Sequence, residues 1–192
     1  MKYFRIIEDG LDFKTLDLEL FDFIEDFPDH VTVPERASFD QNNLSLKGFW
    51  KTPNTTLIES YDTVDGPVPD ITIWSYRCLL LSPKAHRFLQ DLLAPAGEFL
   101  PVRIEGSTWY LFNPQVFYPD ESLSVERFEE GVFEGFLKEM SFAEVEDFTA
   151  PLFKTSPNNN SYLYCDERLR DAVSSFGLAG IQFTTELVES WE

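Results

Sequence analysis

An α/β or α+β fold, a mixed sheet with helices packed on it, is what this sequence predicts. Two observations lead there. The blocks Trp74–Ile104 and Tyr162–Phe183 each read as strand, capped helix, strand, and helices with one apolar face need a sheet on which to bury it. The composition supports that burial: 43% of the 192 residues are hydrophobic and 16% aromatic, with 19 Phe. That is enough for a sizeable core despite a formal charge of −19.

The elements follow in order. Lys2–Ile7 reads as a first strand, and LDLEL at Leu16–Leu20 alternates with a period of two, as a half-buried strand does. After Leu20 the alternation breaks. Phe21, Phe23, Ile24 and Phe27 fall nearer to helical spacing, and Pro28 ends the segment, so a strand running into a short acidic helix is expected. From Asp29 to Asp70 the chain is rich in Pro, Asn, Thr and Asp, with strand-like fragments at Phe49–Trp50 and Leu57–Ile58. The turn-prone run DGPVPD closes this stretch. A boundary is expected near it, dividing an acidic N-terminal subdomain, 1–65, from an α/β domain, 66–192, with one compact unit as the alternative.

WSYRCLLL, Trp74–Leu81, reads as one strand. Ser82 then suits an N-cap and Pro83 the first helical position, and Ala85, Phe88, Leu89, Leu92 and Leu93 recur on one helix face. Strands Phe99–Glu105 and Thr108–Phe112 follow, around a Glu-Gly-Ser turn. A second acidic segment, Asp120–Asp147, interleaves aromatics with carboxylates relieved by Arg127 and Lys138. Strands are expected at Leu152–Lys154 and Tyr162–Cys165, on either side of the loop SPNNN. Asp166 caps a helix with Leu169, Ala172, Val173 and Phe176 on one face, Gly177 stops it, and Gly180–Phe183 is the last strand.

Chemistry is sparse. A hydrolytic nucleophile needs a base within reach, and the imidazoles are His30 and His86. His86 falls off the apolar stripe and is expected to be solvated or a helix-end residue; a Cys78–His86 dyad is the one combination to test. Cys78 and Cys165 are too few and too isolated for a disulfide framework or a zinc site, and reduced thiols are expected. There is no GxSxG, GxxxxGK[ST], GxGxxG, HExxH or EF-hand spacing. Asp62, Asp65 and Gly66 form a fragment of a calcium loop that reads as a solvated turn. Carboxylate pairs such as Glu129–Glu130 suit a glycosidase but arise by chance among 34 acidic residues. No catalytic residue, cofactor or metal is expected.

Binding is what remains. The charge repels nucleic acid and anionic membrane, so the expected partner is a basic protein. The start MKYFRIIEDG lacks the long apolar stretch of a signal peptide, and no run approaches the ~20 residues that span a bilayer, so a cytoplasmic place is expected. Both acidic stretches set Phe and Leu beside Asp and Glu, the mixture an interface with a basic partner needs: apolar anchors for affinity, carboxylates for steering. Asp22, Glu25 and Asp26 in the first, and Glu126, Glu129, Glu130 and Glu134 in the second, are the candidate contacts. The plainer alternative is that the Phe residues point inward and the acids only solvate the surface.

The second half of the chain resembles a known family. PDI (Pro69–Ile71), LLLSPKAHRFLQDLL (Leu79–Leu93), GEFLPV (Gly97–Val102), YLFNP (Tyr110–Pro114), LFK (Leu152–Lys154), YLYCDE (Tyr162–Glu167) and GLAGIQF (Gly177–Phe183), in that order, are similar to the immunity-protein-eleven family. These are small bacterial proteins encoded beside polymorphic toxins. The likeness covers roughly Pro69–Phe183, and its motifs are scaffold, so it carries over no catalytic signature. What it implies is a role: a cytoplasmic antidote that binds a cognate toxin. Two rivals stay open, an acidic DNA mimic that binds a nucleic-acid-binding protein, and a small hydrolase or transferase.

Overall fold

Ser82 ends a strand and begins a helix, and the local chemistry shows why. Its hydroxyl accepts from the Ala85 amide at 3.1 Å, and Pro83 supplies the preset backbone angle of a first turn. The computed structural model describes residues 1–9, 13–19, 27–60, 64–75, 77–156 and 162–189. It shows an α+β fold.

The described strands are β1 (Tyr3–Glu8), β2 (Thr15–Leu16), β3 (Asn54–Thr55), β4 (Leu57–Ile58), β5 (Ile71–Trp74), β6 (Cys78–Leu81), β7 (Gly97–Ile104) and β8 (Ser107–Pro114). Then come β9 (Leu123–Arg127), β10 (Leu137–Phe142), β11 (Leu152–Phe153), β12 (Tyr164–Asp166) and β13 (Ile181–Thr184). The described α-helices are α1 (Val33–Ala37), α2 (Pro83–Leu93) and α3 (Glu167–Ser175).

A mixed five-stranded sheet runs β3-β7-β8-β6-β5, with β3 parallel to β7 and the other neighbours antiparallel. An antiparallel four-stranded sheet runs β11-β12-β1-β13. Two short pairs, β2-β4 and β9-β10, and an isolated parallel bridge between Phe117 and Lys154 are also described. The β7-β8 turn needs two left-handed residues, and Glu105 (φ 49°) and Gly106 (φ 81°) supply them.

Strand alternation sorts the side chains into three cores. Leu79 and Leu81 of β6 and Phe112 of β8 meet Ala85, Leu89 and Leu93 of α2, Leu169 and Val173 of α3, and Phe4 and Ile6 of β1 in one cluster. The opposite face of the five-stranded sheet, with Cys78, Leu80, Val102 and Leu111, is covered by Phe27, Val31, Phe39 and Leu46. The opposite face of the four-stranded sheet, with Phe153 and Tyr164, packs on Tyr118 and Met140.

Three expectations are corrected. Trp74–Leu81 is not one strand: Ser75 (φ 54°) starts a turn, and β5 and β6 on either side pair Trp74 with Cys78 and Ile71 with Leu81. Phe49–Trp50 lies in a turn, where the Phe49 and Trp50 amides donate to the Leu46 carbonyl. Of the strand expected at Leu16–Leu20, β2 reaches only to Leu16, and Phe21, Phe23 and Ile24 of the helix expected to follow lie outside the described residues. β1 is the inner strand between β12 and β13, so this sheet draws strands from both sides of residue 65.

Candidate functional site

The hairpin β9-β10 carries the second acidic stretch. It is rooted from below: Phe142 meets Tyr118, Tyr3 and Phe153 at ring separations of 4.8, 5.0 and 5.5 Å, and the Tyr118 hydroxyl donates to the Ala143 carbonyl. Met140 is buried in this aromatic cluster, and Leu137 is buried as well. The hairpin is therefore a fixed ledge rather than a loose loop.

Its tip is different. The Phe128 amide donates to the Phe136 carbonyl at 3.0 Å and the Gly135 amide returns a bond to Phe128 at 2.9 Å, closing a loop that holds Glu129, Glu130 and Glu134. All three, and Glu126 on β9, are exposed. Exposed apolar side chains stand among them: Val132 at 91%, Phe136 at 48% and Val125 at 42%. These three apolar groups are the functional candidates that pattern reading missed: Val125 sits in a strand, where the sequence does not say which face meets water, and Val132 and Phe136 sit in the turn at the tip.

The ladder sets Glu126 directly opposite Glu139, a like-charge pair that weakens a hairpin. Lys138 relieves it by an ion pair to Glu126. The hydrogen bond and charge of Glu126, with smaller help from Glu139 and Glu129, hold the Lys138 ammonium above its ordinary pKa. The structure thus brings Glu126, Glu129, Glu130 and Glu134 onto one hairpin. Asp22, Glu25 and Asp26 lie outside the described residues.

The second feature is internal. Lys154 is fully buried and donates to the Asp40 carbonyl at 2.5 Å. The Asp40 carboxylate accepts from Arg77 at 3.1 Å and from Ser75 at 3.4 Å. Burial pushes the Lys154 amine down to about 8. Nearby, Glu98 accepts from Ser45 (2.8 Å), the Leu46 amide (2.7 Å), the Lys47 amide (3.2 Å) and Asn113 (3.0 Å). Glu98 and Asn113 pin residues 44–47 to β7 and β8, and Lys154, just past β11, ties Asp40 to the end of that strand. Nothing in LFK distinguishes this lysine from one that faces water.

The Cys78–His86 dyad is not formed. Cys78 shares a face of the sheet with Leu80, and His86 stacks on Tyr110, on the other face, at 3.7 Å and 15°. His86 is half-buried rather than solvated, with Phe99 edge-on at 4.9 Å, and burial lowers its pKa. Burial raises both Cys78 and Cys165 thiols, which keeps them protonated. Gly66, in the loop segment weighed for calcium, donates its amide to Glu59 at 2.9 Å. Among the described residues no group of three or more His, Cys, Asp or Glu is placed to hold a metal ion, and no helix is long and apolar enough to cross a membrane. No protein-family model matches the chain, and no curated protein matches it.

Proposed function

We propose that the protein is a cytoplasmic, stoichiometric inhibitor that captures a basic toxin through the β9-β10 hairpin. The observation that carries this reading is the exposure of Phe136, Val132 and Val125 among Glu126, Glu129, Glu130 and Glu134 on a rooted hairpin. Apolar groups left in water on a rigid support are anchors for a partner, and the surrounding carboxylates accelerate and orient its approach. The resemblance of the ordered motifs to the immunity-protein-eleven family supports a toxin as the class of partner. A basic toxin that acts on nucleic acid offers a surface made for phosphate, which carboxylates can occupy instead.

The test is affinity capture from lysate of the producing organism at low and then moderate salt, with partners identified by mass spectrometry. One stoichiometric partner bearing a toxin domain, inhibited on mixing, is the expected result. Glu129→Lys, Glu130→Lys and Glu134→Lys together should then slow association and weaken binding by about tenfold or more. Phe136→Ala should weaken it by roughly five- to thirtyfold. Melting temperatures should move by no more than about 2 °C, since all four side chains are exposed. Native-like binding by every variant refutes the hairpin interface. A spread of unrelated basic proteins that washes off with salt refutes the selective inhibitor and favours the DNA mimic.

A further inference from the structure

Behind the hairpin tip lies a groove of about 670 Å³. Phe128, Phe133, Lys138, Glu139 and Met140 line one side, and residues 185–189 line the other. The far wall is held in place: Tyr164 donates to the Leu187 carbonyl at 2.8 Å, and Tyr162 to the Glu189 carboxylate at 2.7 Å. The floor is apolar, with Leu187 and Val188 packed against the cluster that holds Met140. The rim is acidic, with Glu139 and Glu186 exposed and Lys138 already paired to Glu126.

The backbone adds a second property. β9 and β10 form a sheet of two strands, so the outer side of β10 pairs with no described strand. A bulge at Lys138 breaks the strand alternation, and regular pairing resumes with Glu139 opposite Glu126 and Met140 opposite Val125, so Glu139 and Met140 point to opposite faces. That both line the groove means that the edge of β10, not one of its faces, borders it. An unpaired edge is a template for a further strand.

We infer that this groove receives an extended segment of the basic partner, which adds to β10 as a third strand. Alternate side chains of that segment would be apolar, against Met140, Leu187 and Val188, and basic, against Glu139 and Glu186. An edge, an apolar floor and an acidic rim in this order fit an extended basic-apolar segment better than a helix, which would leave the backbone edge unused. The inference rests on the inhibitor reading for the identity of the partner, and on the groove alone for its chemistry.

The probe is the synthetic peptide Lys-Val-Lys-Phe-Lys-Val-Lys, set against its block isomer Lys-Lys-Lys-Lys-Val-Phe-Val. Both are titrated into the full chain by calorimetry, with amide hydrogen exchange followed at residues 138–142. The alternating peptide should bind about tenfold tighter than the isomer and slow exchange along β10. The exposed pair Glu139→Lys with Glu186→Lys should remove about a tenfold share of that affinity, and Val188→Arg should abolish the exchange protection. Equal binding of the two peptides, or native-like binding by both variants, overturns the inference. Its failure separates from that of the inhibitor reading: a toxin partner held equally by native and Val188→Arg protein overturns the groove alone. An alternating peptide bound in the groove of a protein that has no toxin partner overturns the inhibitor alone.

Discussion

Replacing Lys154 by Met should make this protein more stable, and the reason is the price of an ammonium in a dry site. The fall from 10.5 to about 8 corresponds to about 3 kcal/mol by which folding disfavours the charged amine. Met keeps the length of the side chain and carries no charge. Against the gain stands the lost bond to the Asp40 carbonyl, about 1 kcal/mol. The Asp40 carboxylate keeps Arg77 and Ser75, so no buried charge is stranded. The net expectation at pH 7 is a gain of about 1–2 kcal/mol, or about 2–6 °C in melting temperature.

The pH dependence gives the sharper check. Below pH 8 the lysine is protonated in both states and the native protein bears the full penalty. Between about 8 and 10.5 the unfolded chain holds a proton that the native chain has shed, so native stability rises with pH relative to the variant. Above 10.5 the amine is neutral in both states and the penalty is gone. Urea unfolding of both proteins at pH 7 and at pH 10 should therefore show the advantage of Lys154→Met shrinking as pH rises. A variant less stable than the native protein at pH 7, or a difference that does not change with pH, refutes the reasoning.

Two further outcomes follow from packing. Gly180→Ala should lower stability by about 2 kcal/mol or more, read from the urea midpoint, because Gly180 has φ +113° and an added Cβ would lie 2.1 Å from the Ile71 carbonyl oxygen. That crowding would part the Ala179 carbonyl from the Asp70 and Ile71 amides, now at 2.8 and 3.0 Å, where the two sheets are tied together. Cys78 and Cys165 are buried with raised thiol pKa values, so the native protein should release almost no chromophore from a disulfide thiol reagent at pH 8. In guanidinium both thiols should react; prompt reaction of either without denaturant would show that its strand opens locally.

What the sequence determined by itself was local. Helix α2 begins at Pro83 and α3 at Glu167 because Ser82 and Asp166 cap amides two or three residues ahead. The apolar repeat of each helix then names its buried face, and these signals lie within a dozen residues of chain. The acidic hairpin was legible as an acid-aromatic stretch for the same reason. Three things were decided only by the tertiary structure. β1 enters the sheet between β12 and β13, pairing Tyr3 with Asp166 and Glu8 with Ile181; an alternating pattern tells a strand which face to bury but not which strand to join. Cys78 and His86, eight residues apart in sequence, end on opposite faces of a sheet. Lys154 is buried and Phe136 exposed, against the ordinary preference of each, because burial is set by what folds over a side chain, and the carbonyl that receives the Lys154 ammonium belongs to Asp40, far away along the chain.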